Sequence, residues 1–489
     1  MKVLLIGMDG AHRAAFDRGW TPFISNLLKS HQDLNLTTDL ISRGWAEIVF
    51  GKHAKKTNAL YDYPLANGSH DWTKKFGLSS VPKIGTEIKG IWQELNEKGF
   101  SVGIMNVPTT FPAPKVNGFI VSGGGGGAPV VDKPTEDLCF PKEILPTLIE
   151  KDYIVDDRLY QLVVEKNINT STKIFDRLSY MNQRRTDAFL TLDKQFKVDF
   201  GFIVFKTSSV IAESILSAEN VRRKNKNNLY DEAAIVAIRK YYENFDLEIK
   251  RLKEAYPETE FIFVSDHGTT EVTHCVNPNI LLQQAGLQQL SSNKRFLKRI
   301  IFKFIQKTPF WIKYFLKKRL SNKIQTINSI GFNKSSTTAF CKAVENWNHG
   351  IFINDNKRFG GPVEEKDIDS IRERIVSLIN SNSMVKKHGI YAKKSDNKLT
   401  SSFRSYPDIE LFLPNGYLTN DNSSEFISEL NPTLSESSLK TIMRGDILSM
   451  KTHNPIAMMS KKAFLKSNSQ KLEGNLTDVY HRTIEMFND

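Results

Sequence analysis

"FIFVSDHGTT", residues 261–270, places an Asp–His pair directly behind a short apolar run and directly ahead of a glycine. Phe261 to Val264 are strand-forming residues, and Ser265-Asp266-His267-Gly268 marks where that strand ends. A polar turn is one reading of the pair. The other is a metal site, because a carboxylate and an imidazole on a strand end are held rigidly and face a crevice. Whether other strand ends offer matching ligands decides between them.

Two further positions do. "KVLLIGMDG" (2–10) reads as a buried strand from Val3 to Ile6 followed by a turn over Gly7 to Gly10, which sets Asp9 at a strand end. His453 stands just before the apolar strand "PIAMMS" (455–460). Two Asp and two His form a set suited to Zn²⁺ or Mn²⁺, which take mixed oxygen and nitrogen ligands. Taken alone, His453 fits a surface or core histidine as well as a ligand.

Working outward, "SVGIMNVP" and "GFIVSGG" are short strands ending in Gly or Pro, and "DFGFIVF" (199–205) is another. A helix is expected near Thr21-Pro22, a mostly helical stretch over 141–195 and an amphipathic helix over 229–255. Strands alternating with helices of this length indicate an α/β fold with a large, mostly parallel sheet sandwiched by helices. The glycines of "SGGGGGAP" (122–129) lack the spacing and the Lys of a phosphate-binding loop, and read as a flexible connection. The α/β character resumes with "GIFIN" (350–354), a helix over 365–380 and "DIELFLP" (408–414). The division expected is 1–285 as the first part of the core, 286–330 as a helical insertion, and 331–489 as the second part.

At 489 residues, 40% hydrophobic and 25% charged, the chain has the composition of a soluble globular enzyme. No stretch approaches ~18 uninterrupted apolar residues, and Asp9 interrupts the first apolar run before it reaches signal-peptide length. Cys139, Cys275 and Cys341 are far apart and odd in number, which argues against a disulfide frame and suits a reducing cytoplasm. The net charge of +13 is local: Lys294 to Lys323 holds eleven Lys or Arg and no Asp or Glu. In "NKRFLKRIIFKFIQKTPFWIKYFLKKRLSNK" (293–323), Phe296, Leu297, Ile300, Ile301, Phe304 and Ile305 share one helical face. Thr308-Pro309 breaks the pattern before a second run from Phe310 to Leu320. A hairpin peripheral to the inner membrane face is one reading of this segment. An insertion packing its apolar face on the body is the other. Nucleic acid is not an expected partner, since the aromatics follow helical spacing.

With "GMDG", "TPFISNLL", "GWAEIVFGKHAKKTNALYDY", "MNVPTTFPAPKVNGFIVSG", "FVSDHG", "TTAFCKAVENWNHGIFIN" and "YPDIELFLPNGY", the chain resembles the alkaline phosphatase superfamily. Within it, the resemblance is to the type I phosphodiesterase/nucleotide pyrophosphatase branch, over nearly the whole length. It implies a parallel-rich sheet between helices, two metal ions clamping a phosphate, and attack on phosphorus by a metal-activated Ser or Thr. By resemblance Asp9, Asp266 and His267 match one metal site and His453 the last His of the other. The nucleophile belongs in the loop before "GWAEIVFG". Ser42 is the hydroxyl nearest the expected place, the family register falls one residue early on Ile41, and Thr37 and Thr38 are the alternatives.

Departures from the family pattern fall on the second site. Ser208 and Ala212 stand where an Asp and a His belong, Thr57-Asn58 replaces a His-Gly, and Phe50 stands where a small hydroxyl residue is common. The expectation is therefore one complete divalent site, with Zn²⁺ or Mn²⁺, and a second reduced to His453. Arg43, Lys206 and Lys451 are available to replace some of the lost charge, and Glu213 is a further candidate ligand. Two functional classes follow: a metal-dependent hydrolase of phosphorylated small molecules or phosphodiesters, and a family member without turnover that binds a phosphorylated ligand or a membrane partner.

Overall fold

The computed structural model describes residues 1–11, 14–124, 131, 133–157, 171–209, 232–289, 331–342, 350–396, 405–421, 425–429, 449–466 and 470–488. Its centre is an eight-stranded sheet in the order His31–Asp33, Ala457–Ser460, Glu260–Val264, Val3–Met8, Phe200–Phe205, Val102–Val107, Gly118–Ser122, Cys139–Phe140. The five strands from Glu260–Val264 to Gly118–Ser122 run parallel. The flanking strands join antiparallel. Parallel strands covered on both faces carry continuous apolar runs, and Val3–Met8 is buried at every residue.

Side chains two apart share a face. Leu4, Ile6 and Met8, with Phe261 and Phe263, point into one core, covered by the helices Pro22–Leu28, Ser171–Phe196 and Glu232–Ala255. Val3 and Leu5, with Ile262 and Val264, point into the opposite core, under Gly44–Phe50, Ile91–Glu97 and Thr477–Glu485. Helices on both faces make this an α/β sandwich around a large, mostly parallel sheet.

The strands Ala339–Phe340, Gly350–Ile353, Ile409–Phe412 and Tyr391–Lys394 form a second, four-stranded sheet whose pairings are antiparallel. Helix Ile368–Ser381 shares its core. Sequence pattern alone groups these strands with the parallel set, because a short apolar run looks the same in either pairing. Residues 125–130 of the glycine-rich stretch and 290–330 of the basic segment lie outside the described residues, as do Ala212 and Glu213. Among the described residues no helix is long and apolar enough to cross a membrane.

Candidate metal centre

Asp9 follows Val3–Met8, and Asp266 and His267 follow the adjacent parallel strand Glu260–Val264, so both ligand groups emerge at the carboxyl edge of the sheet. Their candidate ligand atoms lie within 4.8 Å of one another, and all three residues are buried. Among the described residues this is the one such cluster of three His, Cys, Asp or Glu.

Surrounding groups orient each ligand. Trp45 Nε1 donates to Asp9 Oδ2 at 2.8 Å. The Gly10 amide donates to Asp266 Oδ1 at 3.1 Å, and the Tyr61 hydroxyl to Asp266 Oδ2 at 3.2 Å. His267 Nδ1 lies 2.8 Å from the Gly268 carbonyl, which only accepts, so Nδ1 carries the proton and Nε2 keeps its lone pair. That lone pair stands 3.3 Å from Asp266 Oδ2. This contact has the length of an ion pair but not its charge, because burial, and then the nearby Lys451 ammonium, push the imidazole pKa down to about 3. Two lone pairs facing each other in a buried site are relieved by a cation placed between them.

The carboxylates agree. Burial raises Asp9 above the usual carboxylate range and the charge of Asp266 raises it further, while His267, Lys451 and Lys206 oppose. Burial also raises Asp266, opposed first by Lys451. Two buried carboxylates with insufficient counter-charge, beside a neutral imidazole offering Nε2, are a fitting donor set for Zn²⁺ or Mn²⁺.

The other sequence candidates lie elsewhere. His453 is half-buried and outside the cluster; its Nδ1 is 2.7 Å from the Thr38 carbonyl, and its own carbonyl accepts from the Thr38 amide at 3.0 Å. The Ser208 hydroxyl donates to the backbone carbonyls of Asp9 and Phe205, at 2.7 and 2.8 Å, and is thereby turned into the chain. Ser42 is 1% exposed, and its hydroxyl donates to Asp39 Oδ2 at 3.0 Å.

Around Ser42 lies a second polar group that sequence reading missed. His53 Nε2 is 2.7 Å from Asp39 Oδ2 and 3.3 Å from Ser42 Oγ, and the Tyr406 hydroxyl donates to Asp39 Oδ2 at 2.9 Å. Burial alone would raise the Asp39 carboxyl, but the hydrogen bond and charge of His53 hold it well below the usual range. Glu47, buried beside this pair, is pushed up to about 8 by burial and by Asp39. The set is not a Ser–His–Asp relay. His53 Nδ1 accepts from the Lys55 amide at 3.1 Å, so Nε2 bears the proton and cannot take one from Ser42. Asp39, His53 and Glu47 line an open pocket of ≈ 360 Å³ with Thr37, Thr38 and Lys52.

Two glycines set the approach of this loop to the sheet. A Cβ on Gly7 would fall 2.6 Å from Val204 Cγ2 and 2.8 Å from the Trp45 ring, so glycine lets the indole lie over the strand and reach Asp9. A Cβ on Gly44 would fall 2.1 Å from the Asp266 carbonyl oxygen. The backbone two residues after Ser42 therefore touches the backbone of Asp266. Sequence reading missed Trp45 and Tyr61, whose polar tips meet the two carboxylates only in the folded chain.

The profile of the family described as type I phosphodiesterase/nucleotide pyrophosphatase matches residues 49–351, a span that includes Asp266 and His267. No curated protein sequence matches. Among solved structures, phosphonoacetate hydrolase from Sinorhizobium meliloti 1021 in complex with phosphonoacetate superposes with a TM-score of 0.53 at 9% identity, over 100% of this chain and 96% of that one. An inactive variant of murine ectonucleotide pyrophosphatase/phosphodiesterase 5, in complex with AMP, gives 0.46 at 12% identity, over 100% and 95%. Wild-type alkaline phosphatase PafA gives 0.46 at 12%, over 98% and 94%.

Proposed function

Because this chain belongs to the type I phosphodiesterase/nucleotide pyrophosphatase family, we propose that it is a metal-dependent phosphoester hydrolase acting on phosphodiester or nucleotide-like substrates. The observation that carries this reading is the buried cluster of Asp9, Asp266 and His267 at the carboxyl edge of the sheet. Those three residues would hold one divalent ion, Zn²⁺ or Mn²⁺. Bound there, such an ion neutralises charge on a phosphoryl oxygen and favours the alkoxide of an attacking hydroxyl.

Ser42 supplies the nucleophile in this reading. Its backbone is tied to the site through Gly44, and to attack a phosphate its hydroxyl would have to leave the Asp39 acceptor. Asp39 is too weak a base to activate Ser42 itself, since its carboxyl is held far below neutrality. Its part is to store the hydroxyl in a fixed orientation. Tyr61 and Trp45 keep the two carboxylates in place.

A second reading, a family member that binds a phosphorylated ligand without turning it over, is favoured by the backbone-bound Ser208 hydroxyl. Protein loaded with Zn²⁺ or Mn²⁺ and assayed on bis(4-nitrophenyl) phosphate separates the two. Hydrolysis is expected only with the ion bound, and Ser42→Ala should lower it by orders of magnitude with ion content unchanged. Ion binding without any hydrolysis would establish the second reading. Unaltered turnover in Ser42→Ala would move the nucleophile to Thr38 or Thr37.

A further inference from the structure

The pocket beside Asp39 is walled differently from the metal centre. None of Asp9, Asp266 and His267 lines its ≈ 360 Å³, and every lining residue but Gly51 has a polar side chain. Small-molecule pockets are mostly apolar, so a wholly polar one suits a ligand that is polar all over. Asp39 is not open to such a ligand. The Ile41 and Ser42 amides occupy its Oδ1, and Ser42 Oγ, His53 Nε2 and the Tyr406 hydroxyl its Oδ2. Glu47, 4% exposed, has no such set of donors, and His53 Nε2 stands 3.8 Å from its Oε1, beyond hydrogen-bond reach. The Ser42 and Thr38 hydroxyls lie toward Glu47. Ser42 donates to Asp39 instead, and Thr38 Oγ1 is left buried without a hydrogen-bond partner. A buried carboxyl and a buried hydroxyl with bonds unmade, both on the wall of one pocket, are groups that a ligand would satisfy.

Lys52 and Lys56 complete the wall, and among the described residues neither ammonium has an ion-pair partner. We infer that this pocket is a second binding site, separate from the metal centre, for a small hydroxylated anion of the sugar-acid or sugar-phosphate class. Lys52 and Lys56 meet the anionic group, and Thr38 and Glu47 meet hydroxyls. Asp39 and His53, the charged groups facing Glu47, offset each other at 2.7 Å, and the two lysines leave the wall positive. Burial, and then the charge of Asp39, push Glu47 up to about 8, so near neutrality it is an uncharged acid that donates a hydrogen bond and does not repel an anion. The volume exceeds what a bare phosphate or carboxylate fills, and no apolar side chain is present to hold an aromatic or lipid body.

Calorimetry on the full chain tests this with gluconate, glucose 6-phosphate and uncharged glucose as probes, each with Zn²⁺ and with a chelator in its place. Near neutral pH at least one of the two anions should bind once per chain, with or without Zn²⁺, and about tenfold or more tighter than glucose. Gluconate alone would identify a carboxylate ligand, and glucose 6-phosphate alone a phosphorylated one. Lys52→Met and Lys56→Met should each weaken the bound anion about tenfold. If Lys52→Met does not fold, Lys52→Gln replaces it. Wild type should bind about tenfold more weakly at about pH 9, where Glu47 is ionised, whereas Glu47→Gln keeps a neutral donor and should hold the anion equally at both pH values. Binding of neither anion, equal binding of glucose, or binding lost with the chelator would overturn the proposal. So would a wild-type affinity indifferent to pH, or one unchanged in both lysine variants.

Discussion

Trp45 reaches across the sheet edge to donate its indole Nε1–H to Asp9 Oδ2 at 2.8 Å, in a space that Gly7 leaves open beneath the ring. The indole is 3% exposed, so the bond forms where water does not compete. Trp45→Phe keeps most of the packing and removes the donor. Zn²⁺ affinity should fall about tenfold, as is usual when a partner orienting a ligand is lost. A zinc titration against a competing chelator measures it, and an unchanged affinity would show that packing alone positions Asp9.

Gly44 offers a test of how tightly the helix start is locked to the metal loop. Any side chain there meets the Asp266 carbonyl at 2.1 Å, and backbone cannot swing aside as a flexible side chain does. Gly44→Ala should destabilise the fold by about 1–3 kcal/mol, the usual cost of overpacking, and reduce the stabilisation that Zn²⁺ gives in a thermal melt. A melt identical to wild type would mean the two segments are free to separate.

Glu47 makes stability depend on pH in a stated direction. Its folded pKa of about 8 lies above the ordinary 4.5, so the folded state holds a proton that the unfolded state releases. Stability is therefore fully retained below the ordinary value and is lost as pH rises through this window to about 8. Glu47→Gln should flatten that slope and leave the variant a few kcal/mol more stable than wild type at the alkaline end, an order-of-magnitude figure. Urea melts at several pH values across the window check it; a slope unaltered by the substitution would place the titration on another group.

Residues 294–323 should carry the chain onto anionic vesicles in a salt-dependent manner. Each Lys near such a surface contributes about 1 kcal/mol, and the share decays within a Debye length. The apolar faces of Phe296 to Ile305 and Phe310 to Leu320 would leave a salt-resistant remainder. Equal sedimentation with neutral and anionic vesicles, or none with either, would assign those faces to packing on the body. In that case Phe304→Asp or Trp311→Asp should impair folding.

The buried cluster of Asp9, Asp266 and His267 was legible in the sequence because each of the three abuts its strand. An apolar run such as Val3–Met8 or Glu260–Val264 has no stable place but the middle of a sheet, and whatever polar residue follows must emerge at its edge. Asp9, Asp266 and His267 needed only that, and parallel pairing of the two strands in register brought them together. The same local logic could not say which sheet Gly350–Ile353 and Ile409–Phe412 would join, since strand partners are chosen by long-range packing.

What the tertiary structure alone decided is direction. Ser42 was expected at the phosphate, yet its hydroxyl takes Asp39, because Asp39 is three residues away and is fixed by His53 and Tyr406 from outside the loop. Nothing in the sequence set Trp45 or Tyr61 apart, and only the fold put their polar tips against Asp9 and Asp266. Arg43, Lys206 and Lys451 were interchangeable as letters. Backbone carbonyls hold the first and Asp156 the second, while an antiparallel pairing with Gly268–Glu271 places the third by the ligands. Periodicity and strand ends fix where a backbone goes; the heading of a long polar side chain depends on partners distant in sequence, whose positions exist only once the chain has folded.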